Sequence, residues 1–342
     1  MIKGKINSIK NLFLLKTYTK AMKRILSILS LLLFITACDD GKLTVDAIDF
    51  SQVAAQKCSD KDLIYKINGN EMLFIEIPST TFIEDQTVDG VPIEVPISLT
   101  VKVTYRKYAS TVTSNNICGA APDVTPNLTE EWKATAGTIL ITSTAIKAPV
   151  GTSNGTKITG YKYYIVFKNI SFLKPDGSTQ VYEGTSFIFG NYTKTITNPL
   201  TFGFDHQVDE STCSTKIYDF SGGEVFTLDV ADFPTLFAND PTTTPRTVLI
   251  NATNKLSYQL YSGVMTDNYF CATTIPTTPT LIQQWNAIDG IEATSGIIEV
   301  TTASLGTGFQ HTIHLKKVTL KNGNSDFYLG DDYLFGSFIT NP

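Results

Sequence analysis

Beyond residue 45 the chain is organised by a two-residue alternation of apolar and polar positions. Residues 99–105 read Leu, Thr, Val, Lys, Val, Thr, Tyr, the period of a strand with one buried face. Ile165 and Phe167 share a face in the same way. Ile170 and Phe172 join them only if the phase slips at Lys168-Asn169. The same slip recurs at Lys316-Lys317, after Ile313 and Leu315. A one-residue slip turns every later side chain to the other face, so a β-bulge or strand bend is expected at both places. Pro175-Asp176-Gly177 and Asn322-Gly323 supply hairpin turns, as do Asn68-Gly69-Asn70 and Ser221-Gly222-Gly223.

The recurrence is general. At an offset of 153 residues, Val103 meets Leu256, Tyr105 meets Tyr258, Tyr108 meets Tyr261 and Cys118 meets Cys271. The only two tryptophans, Trp132 and Trp285, also coincide. Around them Thr125-Pro126-x-Leu128 matches Thr278-Pro279-x-Leu281 without a gap. The chain is a tandem repeat. Asn127 with Glu130, and Thr280 with Gln283, have capping-box spacing, so one short helix is expected after the second cysteine of each copy. Leu128 and Trp132, like Leu281 and Trp285, are four apart and would share a helix face. These four residues are assigned to the repeat core.

Each copy then offers about seven strands and one short helix. The expected fold is all-β: two antiparallel β-sandwich domains at 45–197 and 203–342, joined by a linker at 198–202. A lipocalin-like up-and-down barrel around a ligand cavity is the alternative. Abundant Thr, Tyr, Phe, Ile and Val suit half-buried strands, and charged residues are only 17%.

The N-terminus does not share the alternation. Residues 1–37 carry seven Lys or Arg and no acidic residue, then an apolar run from Ile25 to Ala37. Thirteen residues make a helix of about 20 Å, short of the ~30 Å core of a bilayer. The run fits a signal peptide, and Met22-Lys23-Arg24 makes Met22 the expected start. It ends Phe34-Ile35-Thr36-Ala37-Cys38, which resembles the lipobox of bacterial lipoproteins. That resemblance implies cleavage before Cys38, a diacylglycerol on its thiol and an acyl chain on the new amine. Three chains far exceed the marginal membrane binding of one. Residues 38–44 would be the lipidated tether. Asp39-Asp40 resembles the inner-membrane retention signal of enteric lipoproteins and also the acidic surface-export stretch of Bacteroidota cell-envelope lipoproteins; the Thr-, Asn- and aromatic-rich composition is more similar to the second group, which implies the outer membrane, facing either the surface or the periplasm.

Removing residues 1–37 takes seven of the 27 basic residues and none of the 32 acidic ones, so the net charge falls from −5 to −12. An acidic chain without a basic run is not built to hold a phosphate backbone, and no nucleic-acid partner is expected. Four cysteines remain. Cys58 to Cys118 spans 60 residues and Cys213 to Cys271 spans 58, so one disulfide per repeat is expected in an oxidising compartment.

No catalytic constellation stands out. Gly151-Thr152-Ser153-Asn154-Gly155 fits G-x-S-x-G, but its flanks read as a polar loop between strands rather than a nucleophile elbow. His311 and His314 are three apart on one strand and point to opposite faces. His206 lies alone, and all three are read as surface residues. Neither H-x-x-x-H nor C-x-x-C occurs, so no metal and no cofactor is expected. Trp132 and Trp285 read as core. Tyr161, Tyr163 and Tyr164 form the densest aromatic cluster without a counterpart, and are the candidate binding residues. The expected function is a non-enzymatic binding or structural module on a lipid anchor, including an accessory subunit of an outer-membrane protein complex. A glycan-binding or glycan-processing surface protein and a small-ligand carrier are the alternatives.

Overall fold

The computed structural model describes residues 48–211 and 213–341. The signal segment and Cys38 lie outside the described residues. Phe50–Pro342 forms one compact unit.

In the first repeat β1 (Gln56–Lys57), β2 (Leu63–Asn68), β3 (Glu71–Glu76), β4 (Ile93–Pro96), β5 (Lys102–Tyr108), β6 (Leu128–Val150), β7 (Gly155–Leu173), β8 (Thr179–Tyr182) and β9 (Phe187–Thr195) make one antiparallel sheet. Its path is β1-β2-β3-β5-β6-β7-β8, with β4 on β6 and β9 on β7. In the second repeat the strands are β10 (Asp209–Glu210), β11 (Lys216–Ser221), β12 (Glu224–Asp229), β13 (Arg246–Leu249), β14 (Lys255–Tyr261), β15 (Leu281–Ala287), β16 (Ile297–Leu305), β17 (Gly308–Lys316), β18 (Val318–Asn322), β19 (Ser325–Gly330) and β20 (Tyr333–Thr340). They form two sheets, β10-β11-β12-β14-β15-β18-β19 and β13-β16-β17-β20.

These are one topology drawn twice. The long strand β6 corresponds to β15 plus β16, and β7 to β17 plus β18. In the first copy the long strands pass from a seven-strand layer into a four-strand layer. In the second, residues 288–296 and Lys317 break them. The layers meet through large side chains. Phe226 of β12 lies 5.4 Å from Phe335 of β20, ring to ring, and the Lys66 ammonium of β2 lies 5.3 Å from the Phe189 ring of β9. Each repeat is a sandwich, and no sheet closes into a barrel among the described residues.

The expected phase slips are present. Asn169 and Lys317 both hold φ 51°, a left-handed conformation, where the strands bend between layers. Opposite Asn169, Gly137 has φ 126°, and a Cβ there would lie 2.8 Å from the Ile170 Cα. Only glycine lets the two bent backbones approach so closely.

The helices expected after Cys118 and Cys271 are strands. Leu128–Trp132 opens β6 and Leu281–Trp285 lies in β15. A four-residue spacing also puts two side chains on one face of a strand, and pairing Trp132 with Tyr105 and Trp285 with Tyr258 gives those segments a ladder. Leu128 and Leu281 are not core: each is 47% exposed, at the end of its strand. Trp132 and Trp285 are buried. Helical turns occur before each second cysteine instead, as a 3-10 turn at Ser114–Asn116 and a short α-helix at Asp267–Phe270. The capping box lies there too, between Thr113 and Asn116.

Disulfides join Cys58 to Cys118 and Cys213 to Cys271, with Cα atoms 5.4 and 5.5 Å apart. The first seals a satellite core on the outer side of its seven-strand layer, and a matching core lies at the same place in the second repeat. Tyr65, Met72, Phe74 and Tyr108 fill the first, and Tyr218, Val225, Tyr261 and Met265 the second.

The repeats are joined side to side. The edge strand β19 lies along the start of β7: Tyr328 N donates to Thr156 Oγ1 at 3.0 Å, and Asp331 N donates to the Ser153 carbonyl at 2.7 Å. This covers an edge that would otherwise invite pairing with another chain. Residues 83–87 of the first repeat complete the joint. Asp85 accepts bonds from Asn324 N at 3.0 Å and Ser325 Oγ at 2.7 Å.

Candidate functional site: the cleft between the repeats

Where the two repeats meet below this joint they leave a cleft of about 370 Å³. The first repeat contributes Glu84, Ile158 and Tyr161, and the second contributes Ile282, Trp285 and Asn322. Residues 196–200, which connect the repeats, add Thr197, Asn198 and Leu200. The volume lies within the range of small-molecule sites, and the lining is about evenly divided between polar and apolar groups, more polar than such sites usually are.

The polar groups are held in place. Gln283 Oε1 accepts from Trp285 Nε1 at 3.2 Å, and its Nε2 donates to the Asn198 carbonyl at 3.2 Å, which fixes the amide's orientation. At the matching place in the first repeat, Trp132 Nε1 donates to Glu130 Oε1 at 2.6 Å. The same tryptophan–acceptor pair thus carries a neutral amide at the cleft and a carboxylate elsewhere. Glu84 accepts from Thr197 N at 3.0 Å and pairs with Lys194 Nζ at 3.0 Å. Burial works against its ionisation, but the Thr197 hydrogen bonds and Lys194 outweigh it and hold the carboxyl below its ordinary value.

The three candidate tyrosines separate. Tyr161 and Tyr163 face inward on β7 and are buried, because alternate residues of a strand share a face. Tyr161 Oη donates to Ser325 Oγ at 3.1 Å and reaches the cleft wall, while Tyr163 Oη donates to the Ile83 carbonyl at 2.7 Å. Neither is an exposed stacking platform. Tyr164 faces outward and is 40% exposed. It lines a shallow apolar groove of about 310 Å³ with Pro92, Leu140, Val166 and Ile188.

The histidines also separate. His206 Nδ1 donates to the Phe335 carbonyl at 3.2 Å, and His314 Nδ1 lies 2.7 Å from Asp332. His311 is fully buried, not on the surface as expected. It takes an inward-facing position on β17, between β16 and β20, and hydroxyls meet both ring nitrogens. Thr302 Oγ1 accepts from Arg246 at 2.9 Å and lies 2.9 Å from His311 Nδ1. His311 Nε2 then donates to Thr340 Oγ1 at 3.0 Å, which donates to Asn239. Among the described residues, no group of three or more His, Cys, Asp or Glu is placed to hold a metal ion. The G-x-S-x-G stretch is the turn joining β6 to β7.

Asp219 was not singled out by the sequence reading. It faces the sandwich interior on β11, is 1% exposed, and its carboxylate oxygens have no well-formed hydrogen bond, although the His206 and Phe220 backbone amides lie close enough to favour the charge weakly. Burial, reinforced by nearby Asp205, pushes its pKa up to about 7. An acid in step with Ile217 on the inward positions of a strand is the signal that marks it.

No family model, curated protein or solved structure matches this chain, so the cleft is interpreted from its own chemistry.

Proposed function

We propose that this chain is a lipid-anchored protein of the bacterial cell envelope, held at the outer membrane through Cys38, and that it acts as a non-enzymatic binding module. Its ligand enters the cleft between the repeats. What supports the address is the charged, apolar and lipobox-like order of residues 22–38. What supports binding is the jointly built cleft: neither repeat alone would form it, and its Gln283 amide is held by Trp285 and the Asn198 carbonyl before a ligand arrives. Preorganised polar groups lower the ordering cost of binding.

The chemistry of Glu84 favours binding over cleavage. A glycoside hydrolase works with two carboxylates, one of which keeps its proton. Glu84 is the one carboxylate of the cleft lining, and its neighbours hold it ionised. Glycan binding is the second reading, favoured by the amides of Asn198, Gln283 and Asn322 beside an apolar wall. An accessory role in an outer-membrane complex would place a partner's side chain in the same cleft.

The test is an affinity pull-down of the tagged lipoprotein from membranes in mild detergent, read by mass spectrometry, with Ile282→Arg as the cleft-blocked control. Ile282 is 41% exposed, so the arginine fits without disturbing the core. Wild type should retain a stoichiometric companion that the variant loses. An identical set from both would exclude the cleft as the site.

A further inference from the structure

The two tryptophan sites match in the tryptophan and its acceptor but differ in what lies over the ring. In the first repeat, the Lys174 ammonium lies 4.2 Å from the centroid of the Trp132 ring. Such a contact between a cation and an aromatic face is attractive. Strand register identifies the counterpart of Lys174. Lys133 pairs with Leu173, and Asn286, at the 153-residue offset, pairs with Lys321. The next residue is Lys174 in the first copy and Asn322 in the second. Asn322 and Trp285 both line the cleft. The second repeat therefore has a cleft at the position where the first has a lysine side chain.

We propose that the cleft takes an alkylammonium group, supplied from outside the chain in the place that Lys174 fills from within the first repeat. This rests on the cleft being the binding site. Its lining suits a cation. It contains no Lys, Arg or His; Glu84 is ionised and paired with Lys194 beside it, and Trp285, Asn198 and Asn322 line the part that corresponds to the Lys174 site. The chain's net charge of −5, or −12 without residues 1–37, also favours the approach of cations.

Fluorotryptophan-labelled lipoprotein in mild detergent has two fluorine signals, one per tryptophan. Butylammonium chloride, the lysine side chain as a free ion, should shift the Trp285 signal saturably and leave the Trp132 signal in place. The neutral isostere n-butanol should bind roughly tenfold more weakly. Asn322→Lys should supply the cation internally and abolish the butylammonium shift, with the Trp132 signal unchanged as the sign of an intact fold. Asn322→Gln should retain binding. Choline tests the source: tighter binding than butylammonium points to a quaternary headgroup, and weaker binding to a lysine-like amine, the class being supported in either case. The proposal is overturned if n-butanol equals butylammonium, if no signal moves, or if Asn322→Lys still binds. A cleft that ignores butylammonium but takes a neutral oligosaccharide overturns the ammonium class alone and leaves the binding reading standing.

Discussion

Lys66 and Asp219 occupy the same strand position in the two repeats, 153 residues apart, and both are buried. The copies solved one burial problem with opposite charges and unequal success. Lys66 donates to the Phe50 carbonyl at 3.0 Å and lies over the Phe189 ring. Asp219 has no well-formed hydrogen bond to its carboxylate, and burial outweighs the nearby His206 and Phe220 amides and pushes its pKa up to about 7. A carboxyl raised in the folded state contributes stability that is fully present below its unfolded value near 3.8 and lost as pH rises through about 7. Urea unfolding should therefore show stability falling by a few kcal/mol across that window, at about 1.4 kcal/mol per pKa unit. Asp219→Asn should flatten the slope and be the more stable protein at pH about 8. An unchanged slope would mean that Asp219 is already ionised at low pH.

His311 should act in the opposite direction. Burial, with Arg246 nearby, holds its pKa below the ordinary value. Its contribution is present above the unfolded value of 6.5 and lost as pH falls through the lower folded value. His311→Phe removes both ring hydrogen bonds and leaves Thr302 and Thr340 short of a partner. The expected cost is about 1–3 kcal/mol per stranded group, with loss of the acid-side sensitivity. Paired pH titrations of wild type and variant by thermal unfolding would show it.

The repeat itself was legible in the sequence. Cysteines, tryptophans and the slips at Asn169 and Lys317 are local features with fixed spacing, and each survives into the structure. The segment from Leu128 to Trp132 was misjudged because a four-residue spacing satisfies both helix and strand, and only the ladder partner Tyr105 decides between them. The cleft was not legible. Glu84, Tyr161 and Trp285 are far apart in sequence, and they converge only because β19 docks on β7. Tyr161 was singled out for its place in an aromatic cluster, whereas it reaches the cleft as part of the buried joint.

That joint should respond to Asp85→Ala. The substitution leaves Asn324 N and Ser325 Oγ without their acceptor at the β18–β19 turn. A loss of about 1–3 kcal/mol is expected, with faster amide exchange confined to residues 322–326 and the facing strand β7. Exchange that quickens evenly over both repeats would show that the clamp is not local.

The disulfides should contribute equally, because they close loops of nearly equal length. Replacing both cysteines of either pair by serine should cost about 4 kcal/mol in the chain-closure account. Non-reducing peptide mapping of the natively expressed protein should recover Cys58 with Cys118 and Cys213 with Cys271. A peptide linking the two repeats would contradict the pairing.

The functional reading depends first on where the chain sits, and Cys38→Ala tests that most directly. Intact mass and membrane fractionation of wild type should show a chain that begins at Cys38, carries added acyl mass and sediments with membranes. The variant should lose the acyl mass and leave the membrane. A variant that stays membrane-bound with the mass of wild type, less only the cysteine sulfur, would contradict the lipid anchor.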